Sequence, residues 1–160
     1  MAVNTLQDLY QQELGDLISA NEQMQKTVDR MASKAQNDRI KQLMQRSVQG
    51  IQQHTATLRT LLQANVNVTC RAMQGIVEEA MQHTVEADLP PELRDVAMIA
   101  HFQRMSHYGT AGFGTAAAYA KALGQNDEAA QLSDIVTNIY NADEYATGLA
   151  EGVERALTRK

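Results

Sequence analysis

Residues 97–120, AMIAHFQRMSHYGTAGFGTAAAYA, decide how the rest of the chain is read. Arg104 is the only formal charge in this stretch, and His101 and His107 are two of the chain's four histidines. Alanine and glycine are frequent and proline is absent. The stretch shows no alternation of apolar and polar residues, so it reads as a long inner helix. In a helical bundle such a helix borders the place where cofactor sites are built. Its expected buried side is Val96, Ile99, Ala100, Gln103, Ser106, His107, Thr110, Phe113, Gly114 and Ala117. Gly109, Gly112 and Gly114 together cost about 3 kcal/mol of helix propensity. Close approach of a neighbouring helix would offset that cost, and loss of larger functional side chains would leave the same trace.

The helix is bounded by Pro90-Pro91 before it and Gly124 after it, giving a span of 91–123. Downstream, Asn126 is expected to cap a last helix over 126–158, with Asp127 and Glu128 suited to its N-terminal dipole. The seam of that helix is Leu132, Ile135, Ile139, Ala142, Ala146, Leu149 and Val153. Asn138 is an odd amide beside it.

Upstream, ANVNVT at 64–69 breaks the pattern and 70–86 reads as a shorter helix. Glu79 and His83 have the i, i+4 spacing that can chelate a metal, yet an exposed solvated pair is the plainer expectation. Cys70 opens this helix with no base identifiable near it, and a structural role is expected. Farther back lie two long helices, 4–36 and 39–63, separated by Asn37-Asp38. Asn4 or Thr5 can cap the first. Tyr10, Leu17, Met24 and Met31 recur every seven residues beside Leu14, Asn21, Val28 and Ala35. Asn21 is an amide in an apolar row. The facing seam is Ile40, Leu43, Ser47, Gly50, His54, Leu58 and Leu61, small and polar in the middle. Gly50 costs about 1 kcal/mol against alanine and asks for a reason.

These elements predict an all-α fold: a ferritin-like four-helix bundle of two antiparallel hairpins, joined by a long crossover that carries a short helix. The 160 residues are expected to form one domain, 1–160. Net charge is −5, with 44% hydrophobic and 21% charged residues. There is no basic field for nucleic acid, and Arg39, Lys41 and Arg46 have no aromatics among them. No apolar run approaches the roughly 20 residues of a membrane span. No secretory signal is visible, and the single cysteine fits a reducing compartment, so a cytoplasmic location is expected.

Several stretches carry a family resemblance. ELGDLISANEQMQKTVDRMASKA at 13–35 is similar to an opening ELxDLxxAExQ…MAxxA. CRAMQGIVEEA at 70–80 is similar to CxAMxGLIxEA. Gln103-Arg104, His107-Tyr108 and Phe113-Gly114-Thr115 follow QRVEHYEIAAYGT. In these pieces the chain resembles the ferritin-like bacterial stress proteins of the YciE/YciF type. The resemblance implies a dinuclear iron or manganese site built from carboxylates and histidine on four helices. It also implies a homodimer and a part in stress physiology.

The chain departs from that family where the ligands belong. Asn21 stands where relatives have a helix-1 glutamate. SVQGI at 47–51 replaces a glutamate-bearing stretch. Ser106 and Gly109 replace the acids flanking His-Tyr, and Asn138-Ile139 replaces a Glu-Glu pair. Asn21, Gly50, Ser106, Gly109 and Asn138 therefore read as vacated ligand positions, with His54 and His107 as residual candidates. Two neutral histidines do not neutralise two divalent ions. The expectation is a metal-free, non-enzymatic bundle without a cofactor. The alternative is a di-iron or di-manganese oxidase or peroxidase with an altered ligand set, drawing on Glu22, Asp134 or Asp143. A third reading places water or a small molecule in the vacated space.

Overall fold

The structure is a computed structural model and describes residues 2–159; Met1 and Lys160, the ends of the expected domain, lie outside the described residues. Five α-helices follow in order: α1 (Leu6–Lys34), α2 (Asp38–Leu61), α3 (Arg71–His83), α4 (Pro91–Ala122) and α5 (Asn126–Thr158). No strand occurs among the described residues.

Local chemistry sets most helix ends. Thr5 caps α1 in a capping box: its hydroxyl accepts from Asp8 N at 3.1 Å, and the Asp8 carboxylate accepts from Thr5 N at 3.0 Å. Asn37 Oδ1 caps α2 by accepting from Arg39 N and Ile40 N. Pro91 takes the first position of α4, where a missing N–H costs nothing. Gly124 follows α4 with φ of +74°, the left-handed turn that glycine adopts freely.

The helices form a ferritin-like four-helix bundle. α1 packs on α2, and α4 packs on α5, as two hairpins. The hairpins meet along α1 and α4 and, more sparsely, along α2 and α5. α3, carried by the crossover, covers α1 and α4. The core is in two parts. One holds Met24, Val28, Met31, Ile40, Met44, Met73, Met98, Phe102 and Met105. The other, toward the opposite end of the bundle, holds Tyr10, Leu14, Leu17, Leu58, Phe113, Leu132 and Ile135. Burying side chains of this size contributes roughly 1.5–3 kcal/mol each.

Four expectations need correction. The buried side of α4 is turned by about 100° relative to the expected one, one residue along the helix. It comprises Asp95, Met98, Ile99, His101, Phe102, Met105, Ser106, Gly109, Gly112, Phe113, Ala116 and Ala120. Ala100 and His107 are exposed. The cause is that α4 is covered by α1, α3 and α5 together, so its small and apolar residues surround the axis and leave little periodicity to read.

Second, the N-cap of α5 is Gln125, not Asn126, and no side chain bonds to the helix end there. The Gln125 amide turns away to donate to Gln7 Oε1 at 3.0 Å. Third, α3 stops at His83 rather than 86, because buried Thr84 leaves helical geometry at φ −129°, ψ −83°. Fourth, only Gly112 of the three α4 glycines marks a tight approach. A Cβ there would lie 2.5 Å from Leu17 Cδ2, whereas Gly109 meets Ile139 at ordinary van der Waals distance and Gly114 faces open space.

Candidate functional site: a cavity at mid-bundle

Between the two halves of the core lies a cavity of about 450 Å³. All four long helices supply its wall. α1 gives Asn21 and Met24, and α2 gives Leu43, Ser47, Gly50, Ile51 and His54. α4 gives Phe102, Ser106, Gly109 and Phe113, and α5 gives Asn138, Ile139 and Ala142. Arg46, Gln53, Asn141 and Tyr145 complete the lining and are exposed, as is Asn138. The mouth therefore opens through the sparse seam between α2 and α5.

The structure brings Asn21, Gly50, Ser106, Gly109 and Asn138 to this one wall, along with His54. His107 is not on it. Its ring is exposed, and Nε2 lies 3.2 Å from Asp143 Oδ1, at ion-pair distance but without hydrogen-bond alignment. The other acids considered for an altered ligand set are also elsewhere. Glu22 is exposed and pairs with Arg59, Asp134 is exposed, and Asp143 does not line the cavity.

The polar groups of the wall differ in how they are satisfied. The Ser106 hydroxyl donates to Phe102 O at 2.9 Å and the Ser47 hydroxyl to Leu43 O at 2.8 Å, each one turn back on its own helix. Asn21 is buried, and its Nδ2 has no hydrogen-bond partner. Burial pushes the His54 imidazole below its ordinary value, and its ring stands edge-on to Phe113 with centroids 6.0 Å apart. Gly50 leaves room: a Cβ there would meet nothing within 4 Å.

A pair of divalent ions needs several anionic oxygens from facing helices. This wall has no aspartate or glutamate, one histidine, and a guanidinium at the rim. Among the described residues no group of three or more His, Cys, Asp and Glu side chains is placed to hold a metal ion. The donor set does not fit a dinuclear centre.

Two other arrangements escape a reading of the sequence. His101, rather than His107, is the buried histidine of α4; its ring stands edge-on to His83 with centroids 5.4 Å apart, and the Arg104 guanidinium lies 3.1 Å from Nδ1. Burial, then the charges of Arg104 and His83, lower its pKa, against a smaller opposing effect of Glu79. A signal was present: His101 lies three residues after Met98 and four before Met105, on the same inner row. The second arrangement links three helices. Tyr108 Oη donates to Asp16 Oδ2 at 2.7 Å and lies 3.0 Å from Cys70 Sγ. With its one proton on Asp16, the tyrosine accepts from the thiol. Burial raises the Cys70 thiol above its ordinary value, so it is no activated nucleophile.

Comparison with known proteins places this geometry among relatives. A family described as Domain of unknown function (DUF892) matches residues 5–158. Protein YciF of Escherichia coli K12 is 27% identical over 155 residues, covering 94% of this chain and 93% of that protein. The crystal structure of the E. coli stress protein YciF superposes with a TM-score of 0.90 at 26% identity, covering 96% of this chain and 99% of that one. YcfI of Rhodopseudomonas palustris, put forward as a structural protein, superposes with a TM-score of 0.83 at 26% identity, covering 91% and 94%.

Proposed function

The chain belongs to the DUF892 family, in its YciE/YciF type, and from that premise we propose that it is a non-enzymatic, metal-free ferritin-like protein with a structural, stress-associated role. One observation carries the reading. The cavity lined by all four long helices has a wall without a carboxylate, with His54 as its one imidazole. Oxygen chemistry on iron or manganese needs ligands this wall does not offer. The relatives give the role its direction: YciF is called a stress protein, and a structural role has been put forward for YcfI. Among the described residues no helix is long and apolar enough to cross a membrane. A cytoplasmic homodimer that binds no nucleic acid completes the proposal.

The test is metal analysis of protein produced in iron- or manganese-rich medium and purified without chelator. The expected result is far less than one ion per chain, with sedimentation equilibrium of the same sample giving the mass of a dimer. Two tightly held ions per chain would end the metal-free reading.

A further inference from the structure

We propose that the mid-bundle cavity is a binding site for a small, uncharged, mainly apolar molecule that carries one carbonyl oxygen, and that Asn21 donates to that oxygen. Three observations on the wall lead there. The first is the Asn21 amide, which lines the cavity, is buried, and leaves Nδ2 without a partner. Buried donors in native proteins are nearly always satisfied, so an orphan on a cavity wall marks a place for an acceptor.

The second is the size and lining of the space. A volume of about 450 Å³ falls within the range of small-molecule sites. It is also the liquid volume of about 15 waters, each of which needs two to four polar partners. Met24, Leu43, Ile51, Phe102, Phe113 and Ile139 offer none. The Ser47 and Ser106 hydroxyl protons are already used within their own helices. An apolar body fits these walls better than a water cluster.

The third is charge. Arg46, the one permanently charged residue of the lining, is exposed at the mouth, while Asn21 and Ser106 are buried. An ionised head group beside Asn21 would lie where no opposite charge compensates it, which is costly. A neutral acceptor meets the orphan amide without that penalty. Gly50 keeps the space open, since no atom lies within 4 Å of where its Cβ would stand.

The inference rests on the metal-free reading, because two hydrated ions would occupy the same space. Acetophenone and ethylbenzene make the test: similar shape, with and without the carbonyl. Both are titrated by NMR into protein treated with EDTA, with residual metal measured on the same sample. Acetophenone should bind about tenfold more tightly than ethylbenzene, the worth of satisfying one buried donor. It should also move the Asn21 side-chain NH₂ resonance. In Asn21→Leu the preference should fall to about onefold, and Gly50→Leu, which takes up part of the cavity, should weaken binding of both.

Equal affinities in the unaltered protein, no perturbation, or affinities that Gly50→Leu leaves unchanged would each overturn the proposal. Should Asn21→Leu not fold, the NH₂ resonance and Gly50→Leu still decide. Binding seen only after two ions per chain are stripped would refute the metal-free reading and uphold the cavity as a carbonyl site. Metal-free protein that ignores acetophenone would do the reverse.

Discussion

Gly50 and Gly112 are both helix-interior glycines, but their surroundings are opposite. A Cβ at Gly50 meets nothing within 4 Å, whereas one at Gly112 would lie 2.5 Å from Cδ2 of fully buried Leu17. Gly50→Ala should therefore stabilise the protein by up to about 1 kcal/mol through helix propensity. Gly112→Ala should destabilise it by roughly 1–3 kcal/mol through overpacking. Urea denaturation of both variants reads the two signs directly. The oddness of Asn21, Gly50, Ser106, Gly109 and Asn138 was legible in the sequence, since amides, glycines and a serine stood in or beside the inner rows of their helices. What distinguishes Gly50 from Gly112 was not, because it depends on which side chain a neighbouring helix brings opposite. The same holds for Asn21, whose lack of a partner is decided by α2, α4 and α5. His107 was misplaced because the inner face of α4 lies one residue along from the expected one, which buries His101 and exposes His107.

The helices themselves were legible to within a few residues, because caps and heptads are local signals: Thr5, Asn37, Pro91 and Gly124 act where they stand. The polar ties between elements were not, as they join residues distant in sequence. α1 holds the crossover through polar side chains. Gln11 Oε1 accepts from Gln63 N at 2.7 Å and Ala64 N at 3.0 Å; Ser19 Oγ accepts from Cys70 N at 2.9 Å. The most consequential tie is Asp95. Its buried carboxylate, on α4, accepts from Gln36 N at 3.0 Å and Asn37 N at 2.7 Å, fastening the α1–α2 turn. Asp95→Ala leaves two backbone donors without their charged acceptor and should cost about 3 kcal/mol. The check is a lowered urea midpoint at unchanged m-value, with the loss centred on the α1–α2 turn rather than on α5.

At the scale of the whole molecule, both half-buried His54 and buried His101 are held below the ordinary imidazole value of 6.5, chiefly by burial. The unfolded chain takes up protons near that value, and the folded chain only at lower pH. Between the two, the unfolded state binds more protons, so stability is full above about 6.5 and falls as pH drops below it. Glu13, raised by burial and by Asp16, works in the opposite direction at the acid end. Urea unfolding at about pH 7.5 and pH 5.5 should show a loss on acidification, and His101→Gln should reduce it. The sparse seam between α2 and α5 also has a consequence for how the bundle comes apart. α5 runs for 33 residues, yet only Leu132, Ile135 and Ala146 of it are fully buried, all but the last near its start. Its second half adds only Ala146 and the partly buried Leu149, Ala150 and Val153 to the core. Amide hydrogens there should exchange through local opening that leaves α1, α2 and α4 closed, so that solvent enters the molecule by that door before the fold as a whole gives way.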